Sequence, residues 1–521
     1  LKDTIDKDVN DPLLRLIQSL TKAEKKYFKI LNRQSSGKLK FIKLFDAIER
    51  SDSFNEEKLK SLKGITPGQL PNLKMHLYQK ILQSVRHLRA TKLPESIVND
   101  LIEDARVLYE KCLYAECLRT LTKAREMAIK HRMQIQLLGI YELEKRAVGL
   151  VSPNTSGGSR VQEIINEINN NLYHIDNANT FSNLLLTIND LYRKYGFIRN
   201  RSELADVKVH FQQSLPSYDE KQLGFEEKMY LYYAFTAYNF FIRNTREGYN
   251  YANKLVNLFE DSPEMKYSKT EFYIKALNQL LVAQNKLYMT DDFMRTHRKL
   301  VSLKRDKKIK LSRNLNLHLF KAIYIHEINK HFMLGEFGKG TRVVNKHLHE
   351  LNKFFPLLDK NTIYLFYYKI ACLYLGAGQH KQALSWLNRI VRDGGSAIRE
   401  DLQSFARILR LICYFELNDD DGVQSNIKST YRFLLSRKNF NKYEQQIMRF
   451  LKTLKGNETA AELRKRFIVL KDQMMRISRS HYEKRSFIYF DMISWLESKI
   501  QNKPIQAVFQ ERMGLQEKKK V

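Results

Sequence analysis

Apolar residues recur along most of the chain at spacings of three and four positions, which is the pattern of amphipathic α-helices. In the segment 364–391, for example, Tyr367, Ile370 and Tyr374 share one helical face ahead of Gly378. Glycine and proline, which mark the turns of β-hairpins, number only 20 and 9. The pattern therefore predicts an all-α protein whose helices are joined by short turns.

Residues 1–98 form the first predicted domain, an N-terminal helical unit. The segment from Thr21 to Glu24 has the sequence of a capping box and predicts that a helix begins there. Further helices of this domain are predicted over Leu39–Glu49, near Glu56–Leu62 and over Asn72–Arg89.

Residues 99–435 form the second predicted domain, in which pairs of helices recur. Small residues stand early in several of the second helices, as at Cys117, Gly340 and Ala383, and they permit close contact between helices. Because one helical pair cannot cover its own apolar face, neighbouring pairs are expected to stack. The best-marked pairs span 105–128, 324–347 and 364–391, and weaker pairs are predicted near 184–212, 229–259, 272–303 and 411–427.

These pairs resemble the tetratricopeptide (TPR) repeat family. The better pairs recur about every 40 residues, whereas TPR repeats recur about every 34, so the resemblance is to a TPR-like array. It implies a right-handed α-solenoid whose first helices form a groove for a peptide or partner protein, with Arg106 and Asn329 facing the groove. The chain as a whole is also similar to long helical-repeat proteins of Bacteroidota. The residues that match the repeat pattern best are Tyr367, Ala371, Tyr374, Gly378, Ala383 and Leu387.

Residues 436–521 are predicted to form a C-terminal helical cap with a basic tail. Amphipathic helices are expected over 459–477 and 482–501. The last repeat of a helical array leaves an apolar face uncovered, and a helical cap with a polar outer face would cover it.

Charge then narrows the choice of partner. Lysine and arginine number 89 against 57 aspartates and glutamates, a formal net charge of +32. A charge of this size bears on partners rather than on the fold, and it favours an acidic one. Basic residues are dense in the segment 303–313, which is either a solvated loop between repeats or a binding site for an anionic partner. Its cations are Lys304, Arg305, Lys307, Lys308, Lys310 and Arg313.

Patterns that resemble catalytic or metal-binding motifs are incomplete in this sequence. Gly335–Thr341 lacks the lysine that follows the second glycine of a phosphate-binding loop. His326 and His331 are five residues apart, whereas the zinc-binding HExxH helix needs a spacing of four. Asp419–Gly422 lacks the first and last ligands of a calcium loop, so its acids are expected to cap a helix. We therefore predict a non-enzymatic protein without a metal site or a cofactor.

Two functions remain in competition. The first is an interaction scaffold that binds an acidic protein or peptide through the groove. The alternative is binding of nucleic acid (RNA, the ribosome or DNA), in which case the N-terminal unit would be a helix-turn-helix variant with a longer turn. A membrane surface is a less favoured partner, because no polybasic amphipathic helix accompanies the charge. A small-molecule substrate is not expected, and the oligomeric state is left open.

Four cysteines stand within helical apolar patterns and are too sparse for a disulfide scaffold. No apolar run approaches the roughly 20 residues of a membrane-spanning helix. These two features predict a cytoplasmic location with reduced thiols.

Overall fold

Helices form all the regular elements in the part of the chain that the structure describes, so the protein is all-α there. Contacts divide the chain into two compact units, Leu1–Asn179 and Thr180–Val521. The computed structural model describes residues 11–32, 39–50, 59, 66–90, 93–151, 157–195, 198, 201–392, 399–436, 442–454, 458–479 and 490–518.

The first unit contains two apolar cores, each built by consecutive helices. The first core lies among α1 (Pro12–Ser19), α2 (Lys22–Leu31), α3 (Leu39–Glu49) and α4 (Leu70–Ala90). The second lies among α5 (Pro94–Glu110), α6 (Tyr114–Lys130), α7 (Gln134–Val148) and the first part of α8 (Gly157–Tyr195).

Local sequence signals position the helices of the first unit. Helix α2 begins at the predicted capping box, where the amide of Glu24 donates to the Thr21 hydroxyl at 3.2 Å. In return, the amide of Thr21 donates to the Glu24 carboxylate at 2.8 Å. The predicted bounds of α3 are confirmed, and α4 is longer than predicted by two residues at its start and one at its end. Apart from the buried Leu59, the helix predicted near Glu56–Leu62 lies outside the described residues, as does much of the turn of the proposed helix-turn-helix.

The second unit is built mainly from helical hairpins. Within a hairpin the two helices pack together, and the second helix also packs against the first helix of the next hairpin. The hairpins are α10 (Phe225–Phe241) with α11 (Thr245–Glu260), α13 (Thr270–Lys286) with α14 (Thr290–Ser302), α15 (Arg313–Met333) with α16 (Phe337–Lys346), α18 (Lys360–Gly376) with α19 (His380–Arg392), and α20 (Glu400–Glu416) with α21 (Asp420–Leu435). The remaining helices are α9 (Arg201–Ser214), α12 (Pro263–Ser268), α17 (Leu348–Phe354), α22 (Lys442–Lys452), α23 (Ala460–Ser478), α24 (Met492–Gln501) and α25 (Ile505–Lys518).

One turn geometry joins the helices of all these hairpins. In the turn of α18–α19, Gly378 has a φ of 73°, its amide donates to the Leu375 carbonyl at 3.0 Å, and the Gln379 amide donates to the Tyr374 carbonyl at 2.8 Å. This left-handed residue with paired hydrogen bonds is a Schellman motif, which satisfies the last carbonyls of the first helix. The same left-handed conformation and paired bonds recur at Cys112, Arg132, Arg243, Tyr288, Gly335 and Asn418.

The segments that connect successive hairpins differ in length, and two of them contain a short helix. The turn residues of the second unit follow one another at intervals of 45, 47, 43 and 40 residues. Helix α12 lies between the first two hairpins, and α17 lies between the α15–α16 and α18–α19 hairpins. Each adds residues between hairpins without changing the turn itself.

The C-terminal helices of this unit contact the turns of earlier hairpins. Phe509 of α25 stacks edge-on with Phe337 at a centroid distance of 5.3 Å, and Gln510 donates to the Gly335 carbonyl at 3.0 Å. The helix predicted over 459–477 is found as α23, displaced by one residue at each end. Of the helix predicted over 482–501, the structure describes Met492–Gln501 as α24, and residues 480–489 lie outside the described part.

Candidate functional site

The predicted basic segment forms the connection between α14 and α15. A short 3₁₀ turn, Leu303–Arg305, follows α14, and Ser312 caps α15 by accepting a hydrogen bond from the Leu315 amide at 3.1 Å. Leu303 and Ile309 are buried and anchor the segment to the core. The six cations between and beside them are exposed. The segment is therefore an anchored loop whose charges face solvent.

The cations of this loop differ in how far they are neutralised. Lys304 forms an ion pair with Glu350 at 3.2 Å. The Lys308 amino group lies 5.4 Å from the ring centroid of Tyr267, whose side chain is also exposed. Among the described carboxylates, none forms an ion pair with Arg305 or Lys307. The loop thus combines unneutralised cations with an exposed aromatic ring.

Arg106, the other predicted cation, lies on α5 in the first unit, whereas the remaining predicted residues lie in the second. Its side chain is exposed and pairs with Glu103, one helical turn earlier, at 2.6 Å. An exposed pair of this type contributes little to stability and leaves the guanidinium accessible.

Asn329 is buried on α15 and takes part in a line of hydrogen bonds across three consecutive first helices. Its amide nitrogen lies 3.2 Å from Nδ1 of His326, whose Nε2 lies 3.0 Å from the amide oxygen of Asn278 on α13. On the other side, the amino group of Lys369 on α18 donates to the Asn329 oxygen at 2.7 Å. We call Asn278, His326, Asn329 and Lys369 the polar ladder.

Hydrogen-bond polarity fixes the protonation of His326. The amide oxygen of Asn278 can only accept, so Nε2 carries the proton and Nδ1 accepts from Asn329. Burial lowers the pKa of His326 to about 3, which keeps the ring neutral. The Asn329 oxygen is thereby left facing Lys369. Each hydrogen bond of the ladder is donated in the direction that leads away from Lys369. Lys369 is therefore the donor at the end of the ladder.

Lys369 is the charged member of the polar ladder. The residue is partly exposed, but burial of its amino group, helped by the nearby Arg399, lowers its pKa to about 8. The ammonium also lies 5.6 Å from the centroid of the Phe332 ring. Within the described chain, no carboxylate forms an ion pair with it. At neutral pH the ladder therefore ends in a cation that lacks a counter-charge.

Sequence reasoning included Asn329 but missed the other three residues of the ladder. The sequence does contain a signal for two of them, which is their position in the hairpin. His326 and Lys369 each precede the turn residue of their hairpin by nine residues. Polar residues at equivalent places in successive first helices are brought side by side when hairpins stack. An aligned comparison of the first helices would have shown the pair.

The histidines of the incomplete zinc motif have separate partners. His326 belongs to the polar ladder, whereas His331 lies 3.4 Å from the Glu327 carboxylate. His297 of α14 approaches the same carboxylate at 3.6 Å. Burial opposes ionisation of Glu327, but His331 and Lys330 beside it lower its pKa to about 2. The described residues contain no cluster of three or more histidine, cysteine or acidic side chains suited to a metal ion.

The two other incomplete motifs are hairpin turns. Gly335 is the left-handed residue of the α15–α16 turn, and Phe337 begins α16. Asp419 caps α21 by accepting a hydrogen bond from the Gly422 amide at 2.8 Å, so its predicted capping role is confirmed. Both sequences are explained by the ends of helices.

The chain matches no protein-family model, and comparisons with curated proteins and with solved structures found no match. In the portion of the chain that the structure describes, none of the helices has the length and apolar character needed to cross a bilayer. The geometry of the described residues is therefore the basis for any functional assignment.

Proposed function

We propose that this protein is a non-enzymatic scaffold that binds an acidic protein or peptide. In this proposal the hairpins stack as a right-handed, TPR-like α-solenoid, and their first helices line the binding groove. The uniform hairpin turns and the packing of each hairpin on the next support such a stack. A C-terminal helical cap belongs to the same proposal.

The polar ladder is the observation that carries the proposed activity. It crosses α13, α15 and α18 and ends at the ammonium of Lys369, which has no described carboxylate partner. An acidic side chain of a bound peptide would supply the missing counter-charge. A charge-assisted hydrogen bond of this kind contributes about 1.5–3 kcal/mol, which is roughly a tenfold or greater change in affinity.

A peptide-binding experiment tests the proposal. Fluorescence anisotropy would compare a labelled glutamate-rich peptide with a glutamine-rich peptide of the same length. We expect Lys369→Met to weaken binding of the acidic peptide by about tenfold. Lys275→Met on α13 is the matched control, because Lys275 is already neutralised by Glu271 at 2.7 Å. Equal affinity of the wild type and Lys369→Met would reject the ladder as the binding site.

A cytoplasmic location is part of the same proposal. All four cysteines are free, with Cys112 exposed and the other three buried. Free thiols are typical of a reducing compartment.

Nucleic-acid binding is the second candidate, and the basic loop favours it. Tyr267 and Lys308 place an exposed ring next to a cation, and Arg305 and Lys307 add charge nearby. Stacking of bases on an aromatic ring, combined with phosphate contacts, is a usual way to hold single strands.

A mobility-shift titration with single-stranded RNA at several salt concentrations tests this second candidate. Binding should weaken steeply as salt rises, because counterions are released from the phosphates. Tyr267→Ala and the double variant Arg305→Glu, Lys307→Glu should each weaken it, whereas Lys369→Met should not. If the affinity for RNA is the same in the wild type and in both loop variants, the loop is excluded as the binding site.

A further inference from the structure

Helix α23 has an exposed face that is both apolar and basic. Phe467, Leu470 and Met474 are buried on the side that packs against the protein. On the opposite side, Ile468, Val469 and Met475 are 40%, 57% and 43% exposed. With 3.6 residues per turn, these three side chains fall within about one third of the helix circumference. They form an apolar strip along the outer surface of α23.

Four cations accompany this strip. Arg464 and Lys465 lie before it along the helix, Arg476 lies beside Met475, and Arg479 follows the last turn. All four are exposed, and none of them forms an ion pair with a described residue. Their neighbours closer to the protein behave differently, since Arg466 pairs with Glu458 and Lys471 approaches Glu497 at 3.8 Å. We call the strip and its four cations the α23 face.

We propose that the α23 face is a docking surface for an acidic, amphipathic segment of a partner protein. Apolar side chains of that segment would cover Ile468, Val469 and Met475, and its carboxylates would neutralise the surrounding cations. Methionine and arginine are enriched at protein interfaces, and an apolar centre with a polar rim is their usual anatomy. This surface is separate from the polar ladder, so a result that rejects one proposal does not reject the other.

Two other occupants fit the α23 face less well. Asp472 is exposed in the middle of the strip. A partner protein can place a polar or basic side chain opposite this carboxylate, whereas a uniformly anionic membrane surface would repel it in every orientation. A second copy of this chain would bring the same four cations together in a symmetric contact, on a molecule whose net charge is already +32. An acidic partner with apolar residues satisfies both parts of the face.

The test uses a labelled helical peptide with leucines along one face and glutamates beside them, measured by fluorescence anisotropy against the full chain. We expect saturable binding that the double variant Ile468→Glu, Val469→Glu weakens by about tenfold or more. The pair Arg464→Glu, Lys465→Glu should also weaken it, and more strongly at low salt. A peptide whose leucines are replaced by glutamine should bind less tightly than the original.

Two controls keep the outcome specific. Ile135→Glu changes another exposed apolar residue, 66% exposed on α7, and should leave peptide affinity unchanged. Lys369→Met should weaken binding of this peptide far less than Ile468→Glu, Val469→Glu does, which distinguishes this surface from the groove. Thermal melts should show wild-type stability for the variants, because exposed positions tolerate polar substitution.

Three results would overturn the proposal. They are the absence of saturable binding, equal affinity of the Ile468→Glu, Val469→Glu variant, and equal affinity of the glutamine-substituted peptide. Co-sedimentation with phosphatidylserine vesicles that the same double variant abolishes would assign the face to a membrane instead.

Discussion

The ring of Phe509 lies directly against Gly335, 174 residues earlier in the chain. A Cβ atom at Gly335 would lie 2.7 Å from Cδ1 of Phe509 and 2.9 Å from Cγ of Gln510. Gly335 also has a φ of 59°, the left-handed conformation that favours glycine. Glycine in the turn of the α15–α16 hairpin therefore avoids the strain that other residues carry in this conformation, and it leaves room for the contact with α25.

Gly335→Ala should destabilise the second unit by about 2–4 kcal/mol, since left-handed strain adds to a collision with the side chains of Phe509 and Gln510. Gly378→Ala is the matched control, because its φ is 73° but an added Cβ meets no atom within 4 Å. That variant should cost only about 1 kcal/mol. Urea unfolding of both variants checks the difference, and equal losses would show that α25 does not press on the Gly335 turn.

Lys369 should make stability depend on pH in the alkaline range. Its pKa is about 8 in the folded chain against 10.5 ordinarily, so between these values the unfolded chain holds the proton. Stability of the wild type should therefore rise from pH 8 to 10.5, relative to Lys369→Met, by up to about 3 kcal/mol. Urea unfolding of both proteins at pH 7.5 and 10 measures the difference. If the two proteins differ in free energy of unfolding by the same amount at both pH values, the lowered pKa is contradicted.

The same pKa should control binding if the polar ladder takes acidic peptides. Lys369 loses its proton as pH rises through about 8, and the affinity for a glutamate-rich peptide should fall over that interval. Lys369→Arg should keep its charge and bind the peptide equally at pH 7 and pH 9. Anisotropy titrations at both values test this, and a parallel fall in both proteins would point to other titrating groups.

Trp495 and Glu416 should be energetically coupled. The indole Nε1 of Trp495 donates to the Glu416 carboxylate at 2.6 Å, and Lys499 forms an ion pair with the same carboxylate. Trp495→Phe removes this donor but keeps most of the buried ring, so it should cost about 1–3 kcal/mol. Its effect should shrink in a Glu416→Gln background, because the acceptor is then uncharged. Additive losses in this double-mutant cycle would show that the two side chains act separately.

Local signals predicted most helices and several turns correctly. Thr21 and Glu24 form the expected capping box, and α3 has its predicted bounds. Gly335 and Gly378 were recognisable as turn residues because glycine is the usual left-handed residue. The same conformation at Cys112, Arg132, Arg243 and Tyr288 carries no such signature, whereas asparagine, as at Asn418, is the other residue that commonly adopts it.

The candidate site was predictable only in part. The charges of the basic loop were visible in the sequence, but its anchoring by Leu303 and Ile309 and the approach of Lys308 to Tyr267 were not. Asn329 was expected to face a groove, and the structure places it in a buried line between His326 and Lys369. Each bond of that line depends on how neighbouring hairpins pack.

By itself, the sequence determined the helical class, because the spacing of apolar residues, capping residues and turn glycines are local properties of the chain. It also determined the large positive charge. Only the tertiary structure decided which polar side chains meet, because Asn278, Asn329 and Lys369 lie on different hairpins and come together through packing. It likewise decided that Phe509 contacts Gly335, since long-range contacts depend on the surfaces left uncovered when all the helices pack.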